Sequence, residues 1–449
     1  MKEALLEAEV SKLRVELQKA LVEKDDLQTQ LDQIKSASLS IDTQSHDPTI
    51  LNLREDTPFF SPAIDKWNNS LLETSSDVYA SELKLMDACR RGDADSIIAI
   101  LSTNKRLVNM REAESSGLSP LHMSCSYAST GDVRIVSLLV ETFDADLNVY
   151  DDSGCNPLHY ACANGYLEII QKIIRDYNAP VELLDREGKT PLFYAAYNGH
   201  LSAVELLVNE FGADPRHQNP RQWTALHCAA LKGHSDVLSL LVKQYNVDVN
   251  ACNYMGKTPL HYAVEFGHVE AVAVLVEICQ ANINQVDVTR SSALHYACRL
   301  GNVPITAVLL RSCRNEGATP IDCNLVNNFG VTPFFYAAGH LNVDLLKLLV
   351  IFGDVNIDAS NVDGFTALQL ACMLGHVASV RYLLEEGADI GQQNEDGYSA
   401  FHHAFYNGHV FILYLLIRKR LAQLFSPTFL LPILLIVAIA AVFLAVLWE

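Results

Sequence analysis

The middle of the chain alternates short apolar stripes with polar loops, and residues 256–289 show the pattern clearly. A polar stretch ends at Gly256 and is followed by Thr258-Pro259, a threonine that can cap a helix and a proline that fits its first position. Apolar residues then follow on one helical face as far as Gly267, a residue type that commonly ends helices. A second stripe, from Val269 to Ile278, has a spacing near 3.6 residues. The pattern therefore predicts two short helices in succession.

This unit recurs along the chain at nearly constant spacing. Gly188-Lys189-Thr190-Pro191-Leu192 returns as Gly256-Lys257-Thr258-Pro259-Leu260 and as Gly330-Val331-Thr332-Pro333-Phe334, and looser copies begin at Gly117, Gly154, Gln222, Arg290, Gly364 and Gly397. Most copies begin 34 residues apart. A period near 33 residues with the pattern T-P-L-H-x-A resembles the ankyrin repeat family. The resemblance implies an all-α solenoid of about ten repeats over residues 80–424, in which stacked neighbours bury the apolar stripes.

The last residues form the longest uncharged apolar run of the sequence. The run from Phe429 to Trp448 is twenty residues long, and as a helix it would match the roughly 30 Å core of a bilayer. Arg418-Lys419-Arg420 precedes it, and basic residues favour the cytoplasmic side. The run predicts one transmembrane helix within residues 425–449, with a buried core helix as the alternative. A single span at this end resembles tail-anchored membrane proteins, which implies repeats in the cytosol and a location in the endoplasmic reticulum or connected endomembranes.

Residues 1–34 fit a heptad pattern. With Val10, Leu17 and Leu31 at position a, most d positions are occupied by leucine or isoleucine. This predicts an N-terminal coiled coil that pairs with itself as a homodimer or with another coiled coil, with a solitary amphipathic helix as the alternative. Residues 35–79 are rich in Ser, Thr, Asp and Asn, which is typical of a disordered linker. Within the linker, Thr57 to Pro62 loosely resembles two-phenylalanine motifs that bind endoplasmic-reticulum receptors, but Pro62 and Ile64 depart from that pattern. A plain linker is therefore the interpretation, with receptor binding as the alternative.

The heptad pattern leads to a prediction about an isolated N-terminal peptide. A single helix of this length is marginal in water, so its helicity should depend on association. We expect a peptide of residues 1–36 to show circular dichroism that strengthens with concentration. Leu13→Pro should abolish that signal, because proline in a helix interior costs about 3 kcal/mol. Constant helicity over a wide dilution range, together with a monomer mass in sedimentation, would exclude self-pairing.

Composition and charge narrow the functional classes. The formal net charge of −20 argues against a nucleic-acid partner, since no basic face is present to displace counterions. The eleven cysteines lack the spacing of zinc sites and are expected to be reduced core residues. Gly188-Lys189-Thr190 and Gly256-Lys257-Thr258 imitate the end of a phosphate-binding loop, but the earlier glycine of that motif is missing. We therefore predict no catalytic residues, no cofactor and no metal.

Histidines occupy two fixed places in the repeats. One set takes the H of T-P-L-H, and a second set follows the glycine that ends the first helix. Side chains at such fixed places are expected to make the same structural hydrogen bonds in each repeat. They lack a neighbouring nucleophile in a pattern that would require a general base.

The family resemblance also indicates where a partner would bind. Ankyrin proteins usually contact partners through the hairpin tips and inner helices that line the groove. By resemblance, the tips are the residues just after each repeat-opening glycine, and the inner-helix positions are the two before the helix-ending glycine. The predicted partner-binding residues are Tyr197, Trp223, Leu231, Lys232, Phe266 and Arg299. Exposed aromatic side chains among them would be suitable anchors.

These features together predict a membrane-anchored, non-enzymatic adaptor or scaffold. Its cytosolic repeats would bind a protein partner through the ankyrin groove, and its tail would hold that partner at a membrane. The alternative is the N-terminal part of a larger multi-span membrane enzyme, such as an ankyrin-type protein palmitoyltransferase, or of a channel. The Asp-His-His-Cys motif of that enzyme class is missing, because His402-His403 is followed by Ala404.

Overall fold

The computed structural model describes residues 77–111, 116–127, 132–312 and 320–424, which form ten pairs of short helices. The first helices of the pairs are α1 Asp77–Arg91, α3 Pro120–Tyr127, α5 Pro157–Asn164, α7 Pro191–Tyr197, α9 Ala225–Lys232, α11 Pro259–Glu265, α13 Ala293–Arg299, α15 Pro333–Ala338, α17 Ala367–Leu374 and α19 Ala400–Tyr406. The second helices are α2 Ala94–Thr103, α4 Val133–Ser137, α6 Leu167–Gln171, α8 Leu201–Asn209, α10 Ser235–Lys243, α12 Val269–Ala273, α14 Val303–Ser312, α16 Val343–Phe352, α18 Val377–Glu385 and α20 Val410–Leu424. Helices α4, α6 and α12 continue into π-helical turns, and a 3-10 turn follows α2. The predicted all-α solenoid is confirmed.

Local hydrogen bonds explain why each repeat adopts this form. In the loop before α11, Asn253 Oδ1 accepts the backbone N–H groups of Met255 and Lys257, both at 3.0 Å. Gly256 adopts a φ of +71°, and a Cβ atom there would lie 3.1 Å from the backbone of the next loop. Glycine is therefore required both by the turn and by the close approach of the neighbouring repeat. Thr258 then caps α11, with proline in the first turn.

Stacking of successive repeats builds the core. Each first helix packs on the first helix of the next pair, from α1 through to α19. The apolar stripes lie in these interfaces, where Leu260, Val272 and Leu275 are at most 1% exposed. Two short helices could not bury such stripes alone, so stability depends on neighbouring repeats.

Histidines connect successive repeats along much of the array. His227 Nδ1 accepts the N–H of Thr224 at 3.2 Å, and its Nε2–H donates forward to Lys257 O at 3.2 Å. His234, after the helix-ending glycine, reaches backward to Tyr197 O at 2.9 Å. The forward link recurs at His122, His159, His261 and His295, and the backward link at His200, His268, His340, His376 and His409. The predicted structural role is confirmed. His340 also makes the backward link, although the sequence pattern had not included it.

The transmembrane helix in the predicted fold class is corrected by the structure. Within the described ranges, no helix has the length and apolar character that a bilayer span requires. The last of them, α20, carries Arg418, Lys419 and Arg420 among its 15 residues. The fold class that the described residues show is the all-α solenoid alone.

Three of the predicted segments fall outside the described residues. They are the apolar run 429–448, the coiled coil at 1–34 and nearly all of the linker at 35–79. The domain boundaries stay predictions, and the location in endomembranes has no structural observation behind it.

Candidate protein-binding surface

Four of the six predicted binding residues lie at the ends of consecutive first helices. Tyr197 ends α7 and Lys232 ends α9, and the Lys232 ammonium lies 4.7 Å from the centre of the Tyr197 ring. Phe266 follows α11 with 43% of its surface exposed. Arg299 ends α13, where its guanidinium lies 4.9 Å from the centre of the Tyr296 ring. The helix ends of these repeats thus present cations ordered on aromatic rings next to an exposed phenylalanine.

A fifth exposed residue belongs with this group. Leu300 follows Arg299 and is 47% exposed, so it extends the apolar part of the surface that begins at Phe266. We call Tyr197, Lys232, Phe266, Arg299 and Leu300 the helix-end surface. Leu300 directly precedes the helix-ending Gly301, in the region where the family binds partners, but it is not one of the six predicted binding residues.

The structure places the other two predicted residues in the core. Trp223 is 4% exposed and Leu231 is 3% exposed. The Trp223 ring centre lies 4.6 Å from that of Tyr262 in the next repeat. The expected exposure of Trp223 and Leu231 is therefore wrong, because stacking of the following repeat covers both side chains. Their part in partner binding is otherwise untested.

The hairpin tips also differ from their predicted position. The residue after each repeat-opening glycine was expected there, but Lys257 is only 3% exposed because the next repeat covers it. The exposed tips are instead the middle residues of the loops, and in four successive repeats they are apolar: Tyr254, Val288, Phe329 and Val362. Backbone hydrogen bonds join successive tips, such as Val288 N–H to Met255 O at 2.9 Å. Most of these loops follow the pattern N-x-x-G, in which the asparagine side chain accepts backbone hydrogen bonds within the loop. That pattern is the sequence signal that would have located the exposed tips.

Lys257 is held by a buried network of opposite charge and aromatic rings. Its ammonium lies 2.9 Å from Glu265 Oε2. The centres of the Tyr262 and Tyr296 rings lie 5.4 Å and 5.0 Å from the same nitrogen. The lysine therefore bridges α11 and α13 as a structural element and is not available to a partner.

The described residues offer little that could support chemistry. No group of three or more acidic, histidine or cysteine side chains among them is arranged to hold a metal. Their cysteines are free thiols, and burial raises the pKa of Cys125 and Cys298 well above its usual range, which suppresses the nucleophilic thiolate.

Comparisons with known proteins find relatives that match parts of this chain. Among curated proteins, ankyrin repeat and SAM domain-containing protein 6 of Mus musculus is 39% identical over 82 residues, which is 18% of this chain and 9% of that protein. Protein phosphatase 1 regulatory subunit 27 of Homo sapiens is 31% identical over 99 residues, covering 22% of this chain and 60% of that one. The chain thus spans less than two thirds of the length of these relatives.

A solved structure and a family model complete the comparison. The ankyrin repeat domain of Bcl-3 aligns with a TM-score of 0.43 and 26% identity, over 49% of this chain and 95% of that domain. The family model described as ankyrin repeats (3 copies) matches more than half of the chain, at residues 85–185, 128–219, 170–253, 192–287 and 318–394. With its repeated helix pairs and interlocking histidines, the chain belongs to the ankyrin repeat family.

Proposed function

We propose that this protein is a non-enzymatic adaptor that binds a segment of another protein through the helix-end surface. The observation that carries the proposal is the run of apolar and cationic side chains at the ends of four consecutive first helices, of which Lys232, Phe266 and Leu300 are exposed. Phe266 and Leu300 are 43% and 47% exposed although they adjoin a well-packed core. Large apolar side chains exposed side by side are typical of binding sites.

The chemistry of the surface indicates the kind of segment that fits it. Phe266 and Leu300 would accept apolar side chains of the partner, whereas Lys232 and Arg299 would pair with its carboxylates. Both cations are stacked on tyrosine rings, so less conformational entropy is lost when a partner binds. The partner segment would therefore combine apolar and acidic residues.

The proposal is tested by replacing the two apolar anchors together. We expect Phe266→Ala with Leu300→Ala to reduce the recovery of specific partners by the full-length protein, quantified by mass spectrometry after affinity capture. Removal of an interface anchor costs about 2 kcal/mol or more, which corresponds to at least about a thirtyfold loss of affinity. Circular dichroism should show unchanged helix content, since both side chains are largely outside the core.

The chain supplies a matched control. Leu341 and Ile351 are 72% and 65% exposed and lie before and on α16, outside both the helix-end surface and the hairpin tips. Leu341→Ala with Ile351→Ala also removes two large exposed apolar side chains and should leave capture unchanged. Equal recovery by the two double variants and the unmodified protein would contradict the proposed surface.

A further inference from the structure

The face of α20 that would meet a following repeat is apolar and incompletely covered within the described chain. Leu413 lies at the position of Leu346 in α16 and Val380 in α18. Those two residues are 0% exposed, and α16 and α18 each pack on the second helix of the next repeat. Leu413 itself is only half-buried, and so is Ile417, whose counterpart Leu384 is 5% exposed. The last described repeat therefore ends in an apolar face.

A large aromatic side chain belongs to the same face. One position of each first helix from α3 to α17 holds Ala, Cys or Val at 0% exposure: Cys125, Cys162, Ala196, Ala230, Val264, Cys298, Ala338 and Cys372. In α19 that position is held by Phe405, which is 50% exposed. Its ring centre lies 5.9 Å from that of Tyr406, which is 65% exposed. We call Phe405, Tyr406, Leu413 and Ile417 the terminal face.

The terminal face is unsuited to contact with water and to stacking of another repeat. Solenoid proteins require a polar outer face on their terminal repeats. The first described helix, α1, has surface charge of this kind, since Asp87 pairs with Arg90 and Arg91 at 2.8 Å and 2.7 Å. The terminal face has apolar and aromatic side chains, and the Phe405 ring occupies space that small residues leave free in the preceding repeats. A cover of different shape is therefore expected.

The chain itself continues with a segment of matching chemistry. Residues 429–448 are uncharged, begin five residues after the end of α20 and lie outside the described residues. Phe425-Ser426-Pro427-Thr428 stands between them and α20, and a residue before a proline disfavours the helical conformation. A connection of four residues is long enough to join two antiparallel helices. A helix over the apolar run could therefore return along α20.

The spacing of alanines in the run complements the terminal face in size. Counting equal rises per residue back from the turn brings Ala441 to the level of Leu413 on α20. The same count across the three residues that join α19 to α20 places Phe405 near that level. Ala438, Ala441 and Ala445 are spaced i, i+3 and i+7, so they would share one face of a helix. Small side chains on that face leave room for the large ring of Phe405.

We propose that residues 429–448 fold back as a helix on the terminal face and close the repeat array. In this arrangement Phe405 and Leu413 become core residues, and the run packs its alanine face against them. Removal of both apolar surfaces from water drives the contact. The short connection between them keeps the entropy cost of closing the chain small. The contact is separate from the helix-end surface and does not depend on the function proposed for that surface.

Photo-crosslinking within the full-length protein tests the contact. Phe405 is replaced by the photoreactive residue p-benzoylphenylalanine, and isotopically labelled and unlabelled chains are mixed in buffer without detergent. After irradiation, we expect mass spectrometry to find cross-links from position 405 to peptides within 429–448 of the same chain. The same probe in place of Phe329, which is 48% exposed at a hairpin tip, should give no such cross-link.

Other results of this experiment would assign the apolar run to a different environment. Cross-links that join labelled to unlabelled chains would place the run on a second copy. Preferential cross-linking to lipid after addition of phosphatidylcholine vesicles, or a protein that stays in solution only with detergent, would place the run in lipid. Absence of cross-links from position 405 to the run would leave the terminal face uncovered. Each of these results would overturn the proposal.

Two neighbouring alanines provide a matched test of the packing in the full-length protein. Ala441→Phe would overpack the contact, so the amides of α20 should exchange with deuterium about tenfold faster, a factor typical of an overpacked interface. Ala440→Phe adds the same ring off the alanine face and should leave exchange unchanged. Both variants keep the run equally apolar, so partition into lipid cannot cause a difference between them. Equal exchange in the two variants would overturn the proposed contact.

Discussion

Acidification from pH 7 to pH 5 should destabilise the repeat array by about 2 kcal/mol for each buried histidine of the forward links. Burial is the main cause that lowers the pKa of His122, His227 and His295 from 6.5 to about 4. The pKa values of His159 and His261 are lowered for the same reason. Between pH 6.5 and about pH 4, the unfolded chain therefore binds more protons than the folded chain. The stabilising contribution is complete above about pH 6.5 and is lost as the pH falls towards 4.

Hydrogen-bond geometry supports this expectation independently. His227 Nδ1 faces the N–H of Thr224 at 3.2 Å and must accept, so the ring proton lies on Nε2 and is donated to Lys257 O. Protonation would place a second donor opposite the Thr224 N–H and break the cap of α9. Because five repeats share this arrangement, acid should affect much of the array. Segments are expected to melt in steps, since the stability of a repeat array is distributed over its interfaces.

The ninth repeat supplies the control for this prediction. Gln369 occupies the histidine position, where Oε1 accepts the N–H of Thr366 at 3.1 Å and Nε2 donates to Tyr398 O at 3.3 Å. A glutamine thus makes both bonds without titrating. In chemical unfolding followed by circular dichroism, His227→Gln should keep most of the stability at pH 7.5 and lose less than the unmodified protein at pH 5. An identical pH dependence in both proteins would show that these histidines do not govern acid unfolding.

Trp223→Ala should cost about 3–5 kcal/mol of unfolding free energy, the usual range for removing a large buried aromatic side chain. The side chain is 4% exposed and lies between α9 and α11, with its ring 4.6 Å from that of Tyr262 and 5.5 Å from that of His227. Its removal would leave a cavity at an interface between repeats. Urea unfolding followed by circular dichroism measures the change.

Phe266→Ala is the matched comparison for this substitution. Phe266 belongs to the next repeat but is 43% exposed, and surface changes usually alter stability by less than about 0.5 kcal/mol. If Trp223→Ala were as stable as Phe266→Ala, the tryptophan would not be a core residue, and its predicted place on the binding surface would regain support.

The repeat fold could be predicted from the sequence because its determinants are local. Thr258-Pro259 and the glycine-histidine pairs lie at fixed offsets, and each acts through hydrogen bonds within its repeat or to the adjacent one. The exposure of side chains could not be predicted in the same way. Trp223 and Lys257 follow Gln222 and Gly256, the opening residues of their repeats, and only the stacking of the next repeat decides that they are buried.

The candidate sites show the same limit. Phe266 and Lys232 were predicted as binding residues from their offset, and the structure places both at the surface. Leu300 shares the offset of Phe266, but only the structure shows that it is exposed.

The interlocking histidines also bear on how such a chain can change in length. Every forward and backward link ends on a backbone carbonyl, as with Lys257 O and Tyr197 O. A carbonyl is present whatever side chain the neighbour carries, so one repeat can attach to another without matched residues at the junction. Duplication or loss of a complete repeat would therefore leave each junction bonded as before. This gives evolution, and protein engineers, a means to lengthen or shorten the array while side chains at the surface diversify.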